Sequence, residues 1–436
     1  MNTLIYNGRI INPATNVDDI GYIVVKDDKV VGLETGCTIN GTELEMIIDT
    51  YDIDHLLNAT GLIVSPGLID MHVHLRDPGL TYKEDISTGS MAAAKGGFTT
   101  IVAMPNTSPV VGDVDTYDYI RSKAAAVDLV NIIQVGSVTK GMEGKELAEI
   151  DYMAQAGMIA ISEDGKSVMD SGLYRRAMNI AAKRDLIVLA HCEDINLVEG
   201  GVMNKGEVSD RLGLNGISNA VENVITARDI MLAEETGARL HLCHCSTKES
   251  TFMIKDAKDK GIDVSGEACP HHFILTEDDI QSDDAMYKMN PPLRSKEDKD
   301  ALLKAIHDGV IEVISTDHAP HSTEEKTRSM KEAPFGIVGL ETSLPLSYTH
   351  LVEDGIITLN RLIELMSVNP AKRLKIDKGD ISVGHVADIV IFDIRDKFTI
   401  APATFASKGK NTPFTGMEVT GEVKCTIKGG KVTYAK

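Results

Sequence analysis

Residues 62–79 read LIVSPGLIDMHVHLRDPG. An apolar run rich in Leu, Ile and Val gives way to two histidines one residue apart and then to an arginine. If the stretch is a strand, side chains alternate, so His72, His74 and Arg76 share one face while Met71, Val73 and Leu75 take the other. Three polar groups on a buried face are costly unless something binds them. A metal and an anion would do so; an exposed edge strand with solvated histidines is the alternative reading.

Similar apolar runs recur down the chain: TTIVAMP (99–105), VNIIQVGSV (130–138), GMIAISED (157–164), LIVLAHCED (186–194), RLHLCHCS (239–246), IDVSGEACPHH (262–272) and VIEVISTDHAPH (310–321). With the first they make eight. Between them lie stretches with helical character, such as KEDISTGSMAAAKGG, LYRRAMNIAAKRD and AVENVITARDIMLAEETG, with glycine near several of their ends. Alternating strand and helix units predict a parallel α/β fold, and eight of them a (β/α)8 TIM barrel over residues 62–379. The two ends differ. Residues 1–61 and 380–436 carry short strand candidates (TLIYNGRII, YIVVKDDKVVGLE, ADIVIFDI, VKCTIKGGKVTYAK) divided by glycine and charged turns, and are expected to pair into one small β-sandwich domain. Residues 318–345 show no period, and a loop of that length near a barrel is expected to close over a ligand.

The composition narrows the function. Of 436 residues, 43% are hydrophobic and 25% charged, the mix of a globular protein. A net charge of −21 argues against nucleic acid and anionic membranes as partners, because both are polyanions. No run approaches a membrane span and the start lacks a signal peptide pattern, so a cytoplasmic protein is expected. The six cysteines are scattered, which suits reduced thiols. Cys243 and Cys245 flank His244, and strand alternation would turn both thiols to the face opposite His244, which favours packing over ligation.

In barrels of this kind chemistry gathers at the carboxyl ends of the strands. Here His72 and His74 end the first run, Asn106 follows the second, Asp164 ends the fourth, and His191, His244 and Asp317 end the fifth, sixth and eighth. Four imidazoles and two carboxylates on one rim suit a pair of divalent metals, with zinc the best match to nitrogen and oxygen ligands. Each histidine taken singly would read as a hydrogen-bonded core residue; their shared placement is what points to metal. His55, His307, His350 and His385 have no such placement and read as surface or structural.

Through these motifs the chain resembles the amidohydrolase superfamily and, within it, the long bacterial dihydroorotases. The resemblance runs from LIYNGRIINP through PGLIDMHVHLRDPG, MPNT, EDGKSV, AHCED, CHCST, CPHH, NPPLR and STDHAPH to PFG and GHVADIVIFD. It implies two zinc ions per chain, one held by His72, His74 and Asp317, the other by His191 and His244, with Asp164 linking them. It also implies Asp317 as the catalytic acid and base, and substrate contacts from His74, Arg76, Asn106, Asn290, His321, Phe335 and Gly336. The family often has an aromatic residue and two aspartates where this chain has Ile161, Ser162, Glu163 and Asp164, so the assignment of Asp164 rests on the EDG spacing. Other relatives bridge their metals with a carboxylated lysine, for which Lys166 is the nearest candidate.

The activity that the resemblance implies is the reversible, zinc-dependent hydrolysis of dihydroorotate to carbamoyl aspartate, the ring-closing direction serving pyrimidine biosynthesis. It further implies a homodimer and an association with aspartate carbamoyltransferase. Two other readings stand beside it: a hydantoinase-like or allantoinase-like cyclic amidohydrolase, and a silent scaffold homologue. A silent scaffold should have lost metal ligands, and this chain keeps every one. A neutral ring would not need Arg76; the bland reading of that residue is a surface pair with Asp77.

Overall fold

The computed structural model describes residues 2–436. Eight parallel strands follow one another round a barrel. The first, Leu68–Val73, pairs with Phe98–Ala103, which pairs with Asn131–Gln134. After Val135 the third strand resumes as Gly136–Ser137 beside the fourth, Ala160–Ser162. Ile187–Ala190, Arg239–Leu242, Val264–Ala268 and Val313–Ile314 complete the series, each parallel to its predecessor. The ring closes where Val73 bridges His318 in parallel and the His74 amide donates to the His318 carbonyl at 2.9 Å.

The apolar runs build two layers because the barrel has two faces to fill. Ile69, Met71, Val102, Val135, Ala160, Ile187, Leu189 and Val313 form one buried cluster, joined by Ala371 and Leu374 of the helix Asn369–Leu374. Leu68, Phe98, Ile101, Val188, Leu240 and Ile314 pack outward against the helices. Those helices start where the sequence supplies a cap: the side chains of Asp85, Asp113, Asp170, Thr247 and Ser295 each accept a backbone amide of the first turn. Each such bond satisfies a donor the helix leaves free and contributes about 0.5–2 kcal/mol.

The chain ends meet in one eight-stranded sheet. Its path runs from Lys431–Ala435 through Glu418–Lys428 and Ile389–Thr399 to Ile63–Pro66, and then through Asn2–Asn12 and Val17–Lys26 to Lys29–Thr35, with His55–Asn58 also pairing to Asn2–Asn12. The run that starts at Leu62 is therefore divided. Ile63–Pro66 serves the terminal sheet, and the barrel begins at Leu68, with the Gly67 amide held by the Asp388 carbonyl. A helix, Gly41–Tyr51, interrupts the region read as strands and packs Ile47 against Leu4 and Val24.

Two local expectations fail for one reason: regular pairing stops before the interesting side chains. The register of the first strand shifts between Asp70 and Val73, so Met71 joins the cluster inside the barrel while Val73 and Leu75 pack outside it. Arg76 lies beyond the strand with φ +59°, so its direction comes from a turn and not from alternation. Likewise the sixth strand ends at Leu242 and His244 has φ +34°. Cys243 consequently packs inside the barrel and Cys245 outside it, where alternation predicted one shared face.

Candidate metal centre and adjoining cavity

All six predicted ligands converge, and most do so from just past a strand. His72 is in the first strand and His74 one residue beyond it; Asp164, His191, His244 and Asp317 follow the ends of the fourth, fifth, sixth and eighth. All are buried. Asp164 sits at the middle. Its Oδ1 lies 3.2 Å from His72 Nε2, 3.5 Å from His191 Nδ1 and 3.6 Å from His244 Nε2, and its Oδ2 lies 3.4 Å from His74 Nε2. Asp317 Oδ1 is 3.1 Å from His74 Nε2 and 3.6 Å from His72 Nε2.

The outer nitrogens decide what the inner ones offer. His72 Nδ1 is 3.0 Å from Glu267 Oε1, His74 Nδ1 is 2.9 Å from Asn106 Oδ1, and His191 Nε2 is 3.0 Å from Glu193 Oε2. Each partner oxygen only accepts, so each outer nitrogen carries the hydrogen. In the neutral rings the inner nitrogens then hold bare lone pairs. These face carboxylate oxygens, and His191 Nδ1 also faces His244 Nε2 at 2.9 Å. Such a set repels itself unless positive charge lies among it.

Two further observations agree. His72 Nε2, Asp164 Oδ1 and His244 Nδ1 are buried without a hydrogen-bond partner. Burial works against charging His72, yet Asp164 raises its pKa well above the ordinary value. Burial likewise works against ionising Asp164, but His72, His191 and His244 hold it well below the carboxylate range. The ligand atoms of His72, His74 and Asp317 lie within 4.8 Å of one another, and so do those of His72, Asp164 and His244. The donor set fits metal, with outer partners of the kind that orient ligating histidines.

Beside the cluster lies a cavity of about 190 Å³ lined by Arg76, Asn106, Asn290, His321, Phe335 and Gly336 as well as by ligands. Arg76 is half-buried, and among the described residues its guanidinium makes no ion pair; its Nε donates to the Pro320 carbonyl at 3.4 Å. Asp77 is occupied elsewhere, paired with Lys123 at 2.6 Å. Gly336 has φ +121°, and a Cβ there would meet the Ala319 side chain at 2.5 Å, so only glycine brings this backbone so close.

Asn106 and His321 line the cavity and also bond within the protein. Asn106 holds His74 and donates to the Asp164 carbonyl at 3.3 Å. His321 donates from Nε2 to the Phe335 carbonyl at 2.8 Å, and its Nδ1 is 3.2 Å from Lys83 Nζ. Burial and the neighbouring Arg76 and Lys83 push its pKa far down, so the ring is a neutral wall. Lys166 turns away from the cluster and donates to the Met142 carbonyl at 3.2 Å.

The sequence reading missed Glu193, Glu267 and four buried histidines: His241, His271, His272 and His318. A signal existed for Glu267, a charged residue in the middle of the apolar run VSGEA. None distinguished His241 from His244, three residues apart in one run.

Comparisons with known proteins follow the same lines. Residues 61–250 match the family model described as dihydro-orotase-like, and residues 272–434 match the amidohydrolase family. Among solved structures, L-hydantoinase from Arthrobacter aurescens superposes with a TM-score of 0.86 at 26% identity, covering 100% of this chain and 96% of that one. A dihydropyrimidinase from Brevibacillus agri gives a TM-score of 0.84 at 25% identity, covering 100% and 95%. With the histidine and aspartate cluster at the carboxyl ends of its barrel strands, the fold defines a metal-dependent amidohydrolase. Within that class the full-length relatives are more specific. Dihydroorotase from Geobacter metallireducens is 47% identical over 100% of both chains, and that from Shouchella clausii is 46% identical over 91% of this chain and 93% of its own. The chain belongs to the dihydroorotase family.

Proposed function

We propose that the chain catalyses the reversible hydrolysis of the dihydroorotate ring amide to carbamoyl aspartate, with two zinc ions as cofactor. One zinc is assigned to His72, His74 and Asp317, the other to His191 and His244, with Asp164 between them. The observation that carries the reading is the half-buried Arg76, without an ion pair among the described residues, on the wall of the same cavity as the ligands. A ring substrate with its own carboxylate supplies the missing partner, and a planar guanidinium suits it through two parallel hydrogen bonds. A neutral hydantoin or dihydropyrimidine would leave Arg76 unpaired.

When bound, the metals supply hydroxide at neutral pH and polarise the ring carbonyl. The remaining work falls to the chain. Burial opposes ionisation of Asp317, but His74 and His72 lower its pKa to about 2, so it is unprotonated at neutral pH. On hydrolysis it takes the proton of the attacking water and delivers it to the departing ring nitrogen; on ring closure it takes one from the ureido nitrogen. Asn106 and Glu193 hold His74 and His191 in the tautomers that face inward. His321, Phe335 and Gly336 close the wall against which the ring lies.

Purified protein should be assayed side by side with dihydroorotate, dihydrouracil, hydantoin and allantoin, with metal analysis of the same sample. Turnover of dihydroorotate far above the neutral rings, and two zinc ions per chain, are expected. Preference for a neutral ring would reject the reading. No helix among the described residues is long and apolar enough to cross a membrane; with the acidic composition, this supports a cytoplasmic small-molecule enzyme.

A further inference from the structure

One carboxylate stands behind both halves of the metal centre. Glu267, in the seventh strand, is completely buried. Its Oε1 lies 3.0 Å from His72 Nδ1 and accepts the backbone amide of His244 at 3.2 Å. Its Oε2 lies 2.9 Å from His241 Nε2 and accepts Ser315 Oγ at 2.6 Å. The four donors come from the first strand, the turn after the sixth, the sixth strand itself, and the segment after the eighth. They fill the four lone-pair directions of the carboxylate. His241 is held from its other side, with Nδ1 2.8 Å from Ser265 Oγ.

We infer that Glu267 is a positioning residue that couples the two metal half-sites. Resting on the ligand set proposed above, the coupling works through two bonds of one oxygen. The bond to His72 Nδ1 fixes the tautomer that turns the Nε2 lone pair toward Asp164 and Asp317. The bond to the His244 amide holds that residue at φ +34°, a backbone conformation that L side chains rarely adopt, and so aims its ring at the other half-site. Glu193 and Asn106 differ in reach: their side-chain oxygens hold one ligand ring each, His191 and His74. A change at Glu267 is therefore felt at both metals, and a change at Glu193 at one.

Zinc titration of the metal-free protein against a chromophoric chelator reads both affinities without any assay of turnover. Glu267→Gln replaces two accepting oxygens by one acceptor and one donor where four donors converge, so it should weaken both equivalents by about 10–100-fold. Glu193→Gln should weaken one. Unchanged affinity in folded Glu267→Gln, or a loss confined to one equivalent, overturns the coupling. If circular dichroism shows that Glu267→Gln does not fold, Ser315→Ala takes its place; it removes one of the four donors and leaves the carboxylate. It should lower both affinities by a smaller factor, and two unchanged affinities would overturn the inference. The unsubstituted chain is titrated first: fewer than two equivalents there rejects the ligand set itself, and the coupling with it.

Discussion

Asp317 Oδ1 lies 3.1 Å from His74 Nε2, close enough to hold a metal ligand and to face the cavity at once. The two duties separate on substitution. Asp317→Asn keeps the shape and one oxygen but cannot accept a proton, so turnover should fall by about two to four powers of ten while substrate binding changes much less. Equal loss in binding and turnover, measured by isotherm and initial rate, would count against the role as base. Arg76→Met removes the partner proposed for the substrate carboxylate, which should cost roughly 2–5 kcal/mol with dihydroorotate and far less with a neutral ring. Equal loss on both would show that Arg76 does not read the carboxylate. The bridge is tested the same way. Lys166, which donates to the Met142 carbonyl, should be dispensable: Lys166→Ala should keep both metals and Asp164→Ala should lose metal. The reverse outcome would mean a carboxylated lysine.

The segment 318–345 behaves as an element although it has little regular structure. From sequence alone it was expected to be a loop that closes over a ligand, because no period runs through it. In the structure it is folded onto the barrel: Ala319 bonds to the Ile337 carbonyl, and Asn411 Nδ2 donates to the carbonyls of Ala319 and Gly336. Lys326 is its pin, buried with Nζ donating to the carbonyls of Lys288, Pro334 and Gly336 at 3.2, 3.2 and 2.9 Å. Burial, with the nearby Lys288, lowers the Lys326 pKa to about 7. Between that value and the ordinary lysine range near 10.5 the unfolded chain binds more protons than the folded one, so this group's contribution to stability rises with pH across that window. Lys326→Met should therefore cost more stability at pH 9.5 than at pH 7, read as the shift in urea midpoint at each pH. It should also open the segment to protease, whereas the unsubstituted chain resists cleavage there. A cost that shrinks with rising pH would contradict the lowered pKa.

Across the whole molecule, barrel and terminal sheet share apolar surface. Val390, Phe392 and Val423 from the carboxyl end belong to the same buried cluster as Leu68 and Phe98 of the barrel, and Thr426 Oγ1 donates to the Ala94 carbonyl. Removing residues 380–436 would uncover that face. The truncated chain should lose its cooperative unfolding transition in circular dichroism, and a fragment that kept one would show the barrel to be independent. Metal should act at this scale too, since the proposed ligands come from five of the eight strands or their following turns. Chelation should abolish turnover and lower the melting temperature together, with zinc restoring both.

How much of this was readable before folding follows from range. The eight apolar runs and the repeated appearance of His or Asp at the ends of runs are local patterns, and they sufficed for the barrel and for the cluster of His and Asp side chains that converges on its rim. Family motifs such as DMHVHLRDPG and TDHAPH carried the activity. What the chain could not disclose locally was decided by neighbours far away in sequence. Register shifts and left-handed turns at Arg76, His244 and Asp317 aim side chains that strand alternation would have aimed elsewhere. Glu267, 195 residues from His72, became legible only when the first and seventh strands stood in one ring. A buried carboxylate is tolerable only where donors meet it, and that meeting is a property of the closed barrel rather than of any one run.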